Sequence, residues 1–227
     1  KSLRIHKAMA LRIIQIGLPT GIQNMVISFS NILIQASINQ YGAMAVAGFS
    51  AYLKIDGFNI LPITSFSMAV TTFTGQNYGA GKFDRVKKGM LVTMLMGIVY
   101  TLALGALLLT FSEPAIRLFN QDASVIAYGV TAMKYFCPFY WALSVMHSLA
   151  GTVRGIGKSA PPTVILIVSL CVFRIAWIAF VLPHFDKIDG IFVLYPVSWI
   201  FGMILMIVYS LRGKWFTTSN KNQGGAL

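Results

Sequence analysis

Charged residues are scarce in this sequence, and acidic residues are the scarcest. Only 11% of the 227 residues are charged, with six Asp and Glu against 18 Lys and Arg, whereas 56% are hydrophobic. A soluble domain typically has about 25% charged residues. The composition therefore excludes an ordinary soluble domain and indicates a chain that lies mostly in a lipid bilayer. Because a spanning helix needs roughly 20 mostly apolar residues, the chain has room for about six of them.

Several patterns that carry enzyme chemistry are also absent. The two cysteines, Cys137 and Cys171, lie in apolar segments, which favours inert packing over a disulfide framework. The sequence has no His/Cys spacing typical of a metal site, no phosphate-binding glycine loop and no nucleophile elbow. We therefore expect a protein that is not an enzyme and that has no metal or organic cofactor. The excess of positive charge does not indicate nucleic-acid binding, because it forms no basic face interleaved with aromatic residues.

The positive charges that are present lie mostly in four clusters. These clusters are Lys1/Arg4/Lys7/Arg12, Lys82/Arg85/Lys87/Lys88, Arg154/Lys158 and Arg212/Lys214/Lys221. The segments between them are long enough to cross a bilayer twice, and the turns at the far ends contain only Arg117 and Lys187 as bases. This is the positive-inside pattern. It predicts a multi-pass protein of the cell (inner or plasma) membrane, with both termini in the cytoplasm and basic residues at the lipid head groups.

The apolar segments predict an all-α membrane protein with six transmembrane helices. We expect the spans at residues 13–39, 46–77, 90–111, from a start between 124 and 134 to 153, 162–182 and 190–211. Residues 1–12 are then a cytoplasmic linker, residues 13–213 the six-span unit and residues 214–227 a cytoplasmic tail. Pro19, Pro62 and Pro138 fall inside the first, second and fourth spans, where proline removes a backbone hydrogen bond and favours a kink.

The first span carries an unusual number of amide side chains. Asn24, Asn31 and Gln35 are spaced by seven and four residues, so they share one helical face, and Gln23 lies beside it. Amides are costly in hydrocarbon, so this face must look into protein or water. Hydrogen bonding between helices and the lining of a central cavity are both compatible with the pattern. We favour the cavity, with Tyr135 of the fourth span as a further lining candidate.

Asp56 is the only carboxylate inside a predicted span. An acid at this depth is costly and is a functional hypothesis by default. It could bind a cation or exchange a proton, or it could be a structural carboxylate near the membrane interface. Arg174 in the fifth span is a second buried charge and needs an anionic or carbonyl partner, for which Asp56 is one candidate.

Two turns on the basic side carry distinctive strings, GQNYGAGK at residues 75–82 and RGIGK at residues 154–158. Each is typical of a helix end closed by a glycine-permitted tight turn. As strings they resemble the paired inner-loop motifs of the multidrug and toxic compound extrusion (MATE) family of transporters. Residues 17–24 and 173–175 resemble helices of that family's C-terminal lobe. The residues expected to shape and anchor the inner turns are Gly75, Gln76, Asn77, Gly79, Gly81, Arg154, Gly155 and Gly157.

The resemblance implies one lobe of a twelve-helix MATE-type transporter, in which two six-helix lobes are related by a pseudo-two-fold axis along the membrane normal. This chain would be the C-terminal lobe, and its partners would be an N-terminal six-helix lobe of the same polypeptide, the lipid bilayer and small organic substrates. The implied activity is export of amphipathic or cationic organic compounds in exchange for Na⁺ or H⁺, by alternating access.

The sequence also departs from the family pattern. Some members carry an acid in the first or fourth helix of this lobe, and this sequence has neither, which leaves Asp56 as the local candidate for ion coupling. A flippase for lipid-linked oligosaccharides from the same superfamily is the first alternative. It would need cations in the cavity, and only Lys54 and Arg174 are candidates. A non-transporting membrane subunit is the second alternative.

Overall fold

The structure is a computed structural model that describes residues 7–213, without the side chains of residues 7–9, 12, 15 and 16. Within this range every regular element is helical. The helices are α1 (Lys7–Asn39), α2 (Ala43–Gly79), α3 (Phe83–Thr110), α4 (Ser112–Arg117), α5 (Ala123–Phe136), α6 (Tyr140–Gly155), α7 (Ala160–Ile167), α8 (Phe173–Phe180) and α9 (Asp189–Arg212). The predicted tail at 214–227 and the first half of the predicted linker lie outside the described residues.

The predicted apolar spans coincide with helices, but the division into helices differs. The fourth predicted span is divided into α5 and α6, and the fifth consists of α7, a π-helical turn at Val168–Val172 and α8. The third helix begins at Phe83, well before the predicted position 90, because its first turns are basic and not apolar. The all-helical fold is thus confirmed, whereas the number of six spans stays a prediction.

Three helical stretches within residues 7–213 are long and apolar enough to cross a membrane by composition alone. They are Phe83–Thr110, Ala160–His184 and Asp189–Arg212. The first two helices are longer, but each carries amides and two charged residues, which lowers its hydropathy. The helices α5 and α6 have 14 and 16 residues, so each is too short on its own.

The three prolines of the predicted kinks behave differently. Pro138 lies in a 3₁₀ turn, Cys137–Phe139, that separates α5 from α6, so the predicted break in this span is confirmed. Pro19 and Pro62 lie inside α1 and α2, which continue through them. Proline removes the N–H that would bind the carbonyl four residues earlier, which for Pro62 is the carbonyl of Phe58. Tyr100 of α3 donates its hydroxyl to that carbonyl at 2.8 Å. A neighbouring helix therefore satisfies the group that the proline frees.

The helix α6 forms the centre of the bundle and packs against α2, α3 and α9. Most of its side chains are buried. Glycine makes the close approaches possible: a Cβ added at Gly97 of α3 would lie 2.1 Å from Ser144 Oγ, and one added at Gly151 would lie 2.5 Å from the Ser67 carbonyl oxygen. Small residues at helix interfaces are typical of membrane proteins, in which close van der Waals packing drives association.

We expect Tyr100→Phe to destabilise the protein by about 1 kcal/mol, since it leaves the Phe58 carbonyl without its donor. In a Pro62→Ala background the same change should have little effect, because the new backbone N–H at position 62 can bind that carbonyl. Thermal unfolding of the four proteins of this double-mutant cycle measures the coupling. An equal loss in both backgrounds would contradict the assignment.

Candidate functional site

Asp56 lies in the fourth turn of α2, where two tyrosines bind the same carboxylate oxygen. Tyr52 Oη, one turn earlier in α2, donates to Asp56 Oδ1 at 3.0 Å. Tyr140 Oη, at the first residue of α6, is hydrogen-bonded to the same Oδ1 and to Tyr52 Oη. Tyr52 and Tyr140 are 3% and 0% exposed. We refer to Asp56, Tyr52 and Tyr140 as the Asp56 centre.

Local sequence explains how these three groups meet. Tyr52 and Asp56 are four residues apart in one helix, so they lie on the same face. The 3₁₀ turn around Pro138 ends α5 and lets α6 begin at Tyr140. Sequence reasoning identified Asp56 but missed both tyrosines. The four-residue spacing of Tyr52 was a usable signal, whereas the approach of Tyr140 depends on how α6 packs against α2.

Aromatic side chains surround the Asp56 centre. The Trp199 ring of α9 stacks on Tyr140 with centroids 5.1 Å apart. Phe136 packs against Tyr52 at 4.9 Å and against Tyr195 at 4.7 Å. These rings shield the two tyrosines of the centre from water, and the half-buried Asp56 is stabilised in its charged form by their hydroxyl groups. A hydroxyl can both donate and accept, so these oxygens can share a proton or provide part of the coordination of a small cation.

Asn59 lies one turn beyond Asp56 and is completely buried. Neither its amide oxygen nor its amide nitrogen has a hydrogen-bond partner among the described residues. Ser144, one turn beyond Tyr140 in α6, has a buried hydroxyl in the same condition. Both groups lie one turn inward of the Asp56 centre, Asn59 on the same helix as Asp56 and Ser144 opposite Gly97 of α3. Asn59 was not among the predicted site residues, although its spacing of three from the acid is visible in the sequence.

Arg174 has neutral partners, and Asp56 is not one of them in the described contacts. Its side chain is 3% exposed. Its Nε donates to Ser198 Oγ at 3.1 Å and its Nη1 donates to Asn31 Oδ1 at 3.2 Å. The guanidinium carbon lies 4.6 Å from the centroid of the Tyr195 ring, a cation–π contact. The candidate pairing of Arg174 with Asp56 is therefore wrong in this structure, because hydroxyl, amide and aromatic groups satisfy each charge separately.

The predicted amide face of α1 has more than one environment. Gln23 is 4% exposed, and its Oε1 accepts a hydrogen bond from Arg154 Nη2 at 2.8 Å. Asn24 is exposed, Gln35 is half-buried and donates to Asn39 Oδ1 at 3.3 Å, and Asn31 binds Arg174. Adjacent residues in a helix differ by about 100° in direction, so Gln23 turns into the bundle and Asn24 away from it.

The remaining lining candidate lies apart from the amides. Tyr135 is half-buried, and its ring lies 6.1 Å from that of Phe192 in α9. The structure thus does not bring the five candidates together around one pocket. The Tyr135 side chain is hydrogen-bonded to Asp189. Asp189, with Tyr41, Tyr128 and Asp186, lines a surface cavity of about 530 Å³ at the opposite end of the bundle from the glycine turns.

The two basic-side turns are built in the same way. Gly81 has φ of 70° and Gly157 has φ of 87°, a region that favours glycine. After α2, the N–H of Lys82 bonds the carbonyl of Asn77 at 2.8 Å and the N–H of Gly81 bonds that of Tyr78 at 3.0 Å. After α6, Lys158 and Gly157 bond the carbonyls of Val153 and Arg154 at 3.2 and 2.9 Å. Both ends are Schellman motifs in which lysine is the last residue.

The other glycines of the turn strings have different roles. Gly75 lies inside α2, and a Cβ added there would be 3.4 Å from the carbonyl oxygen of Gly155. One added at Gly155 would be 2.6 Å from the Thr71 carbonyl oxygen, so this pair brings α2 and α6 together and does not form a turn. Gly79 lies in the last turn of α2 with open space around it.

The two amides of the first turn string also differ from each other. Gln76 is exposed, whereas Asn77 is 8% exposed and donates to the Phe73 carbonyl at 2.8 Å. Arg154 was expected to anchor the second turn at the head groups. It is half-buried, and its bond to Gln23 ties α6 to α1.

Comparison with known proteins identifies similar sequences over most of the chain. The MatE family model matches residues 19–179. The chain is 28% identical to the probable multidrug resistance protein NorM of Thermotoga maritima, over 89% of this chain and 44% of the relative. It is 29% identical to the probable multidrug resistance protein YpnP of Bacillus subtilis, over 89% of this chain and 45% of the relative. The chain thus spans less than half the length of these relatives.

Solved structures show the same fold. The chain superposes on a crystal structure of MATE in complex with MaL6 with a TM-score of 0.85 and 17% identity, over 96% of this chain and 49% of that one. The helical arrangement described above therefore occurs as one half of a larger structure.

We expect Gln23→Leu to destabilise the protein by about 1–3 kcal/mol, since it leaves a half-buried guanidinium without its amide acceptor. Asn24→Leu is the matched control, because it removes an exposed amide at the next position. Thermal unfolding of the intact protein in detergent measures the difference. Equal effects of the two substitutions would show that the Gln23–Arg154 bond contributes nothing.

Proposed function

The chain belongs to the MatE family, and on this premise we propose that it is the C-terminal six-helix lobe of a twelve-helix secondary transporter. The whole protein would export amphipathic or cationic organic compounds in exchange for Na⁺ or H⁺, by alternating access between its two lobes. Its residues 13–213 would form the lobe, with residues 1–12 and 214–227 on the cytoplasmic side of the cell membrane. The resemblance to probable multidrug resistance proteins supports a transporter.

The surface of α1 supports pairing with a second lobe. Apolar side chains along it, including Ile22, Met25, Phe29 and Ile32, are 47–73% exposed. The exposed amide of Asn24 and the exposed Asn31 interrupt this apolar surface. Amides facing lipid alone would be costly. An N-terminal lobe of the same polypeptide would cover this surface and leave the amides beside a central, substrate-accessible space.

The Asp56 centre supports a role in ion coupling. Its carboxylate connects α2 to the first residue of α6, next to the 3₁₀ turn that separates α5 from α6. A bound proton or Na⁺ would neutralise Asp56 and change which hydroxyl donates to which oxygen. This alters the bonds that join the two helices, so the ion can favour one of two arrangements of the lobe. Arg174 would be a structural charge, because neutral groups already satisfy it.

The flippase alternative has less support. A flippase for lipid-linked oligosaccharides needs cations that are free to bind pyrophosphate. Lys54 Nζ lies 5.1 Å from the ring centroid of Phe119, and Arg174 is buried among its partners. Arg174 is thus taken up by its partners, and the exposed Lys54 is the single candidate cation of the two that remains accessible. The transport assay described next distinguishes a transporter from a non-transporting membrane subunit.

We expect Asp56→Asn to reduce ion-driven transport by about tenfold or more. Unlike the carboxylate, the amide cannot bind and release a proton, and it is a weak ligand for a cation. Everted vesicles that contain the intact protein would be given a fluorescent organic cation and either a Na⁺ or a proton gradient. Asp84→Asn, an exposed acid in the first turn of α3, is the matched control. The gradient that drives uptake identifies the coupling ion.

Two other results would redirect the proposal. Unchanged uptake by the Asp56→Asn protein would place ion coupling outside this lobe while retaining the transporter. No uptake under either gradient, with the protein present in the membrane, would favour the flippase or a non-transporting subunit.

A further inference from the structure

A groove with basic side chains at its rim lies between α2 and α3 at the end of the bundle with the glycine turns. It has a volume of about 470 Å³ and is lined by Ala69 and Phe73 from α2 and by Arg85, Lys88 and Val92 from α3, among others. None of these residues belongs to the Asp56 centre or to the amides of α1. The groove is therefore a feature that the proposed transport function does not use.

Charge and hydrophobicity change along the groove in one direction. Arg85 and Lys88 are exposed in the first two turns of α3, and they are three residues apart, so they lie on one face. Val92, seven residues beyond Arg85, is on the same face and is 55% exposed. The lining contains both of these cations and no carboxylate. An occupant must therefore have a negative group at the helix end and an apolar part deeper along the helices.

The apolar part continues beyond the groove along α3. Leu95, Val99 and Leu102 follow Val92 on the outer surface of the helix and are 62%, 59% and 49% exposed. At 1.5 Å per residue, this stripe from Val92 to Leu102 extends about 15 Å along the helix axis. One leaflet contributes about half of the roughly 30 Å hydrocarbon core of a bilayer. The stripe thus has the length that an acyl chain of one leaflet covers.

Gly89 creates the space between the two helices. A Cβ added at Gly89 would lie 2.3 Å from Cε1 of Phe73. Only glycine lets this ring lie against α3 between the cations and Val92. The ring then forms an apolar wall directly below the charged rim, so the groove is a shaped site and not only a patch of positive charge.

We propose that this groove binds one anionic phospholipid of the surrounding membrane. The phosphate lies between Arg85 and Lys88, and an acyl chain passes Phe73 and follows the exposed stripe of α3. A guanidinium and an ammonium group are common ligands of phosphate oxygens. Both positive charges lie at the level of the head groups when α3 spans the bilayer, which brings the phosphate and the rim to the same depth.

Native mass spectrometry of the intact protein in detergent tests the proposal. The protein is titrated with phosphatidylglycerol and, separately, with phosphatidylcholine that has the same acyl chains. We expect one tight phosphatidylglycerol site, and Arg85→Gln together with Lys88→Gln should weaken it at least about tenfold. The matched control is Lys158→Gln together with Arg212→Gln, which removes two exposed cations from the same end of the bundle but outside the groove.

A second variant tests the apolar part of the site. Ala69→Trp places a large side chain in the groove and keeps both cations, so it should also weaken phosphatidylglycerol binding. Equal effects of the two double substitutions, or unchanged binding by the Ala69→Trp protein, would mean diffuse attraction to the basic surface and would overturn the proposal. Equal binding of the two lipids would overturn it as well. Transport activity is not needed for any of these readouts.

Discussion

The free-energy cost of an unpaired polar group in hydrocarbon determines where the few polar side chains of this chain can lie. Arg174 illustrates this constraint. It is almost completely buried, and an amide from α1, a hydroxyl from α9 and a tyrosine ring surround it. The carbonyl that Pro62 leaves free obeys the same rule, since Tyr100 donates to it from the next helix. Polar groups therefore act as specific links between helices that are otherwise held by non-directional packing.

A row of packed side chains links Asp56 to Arg174, although the two charges do not form an ion pair. Tyr140 binds Asp56 and stacks on Trp199, Trp199 packs against Tyr195, and the Tyr195 ring lies against Arg174. This row of contacts runs from α2 through α6 and α9 to α8. A change in protonation or ion binding at Asp56 alters hydrogen bonds at one end of a packed series that reaches the other charge. Such an arrangement can transmit a local change only if the helices have two stable arrangements.

Glycine and small residues determine how closely α2 and α6 approach each other. Gly151 and Gly155 leave no space for a side chain against α2, and both helices end in Schellman motifs with glycine at positive φ. The two helices that share the Asp56 centre are thus also joined at their inner ends. The interface is closed at the glycine end and polar around Asp56 and Asn59, where a buried amide has no partner among the described residues.

The sequence by itself determined the helical class, the approximate position of the apolar segments and the glycine-ended turns, because hydropathy and backbone freedom are local properties. It also identified Asp56 and Arg174 as unusual, since a charge in an apolar segment is visible without a structure. Only the tertiary structure decided which groups satisfy them. How each helix is rotated against its neighbours decides that Asp56 and Arg174 do not pair. It also decides that Gln23 faces the bundle while the adjacent Asn24 is exposed. That rotation results from packing between residues far apart in the chain, such as Asn31 and Arg174, which no local pattern encodes.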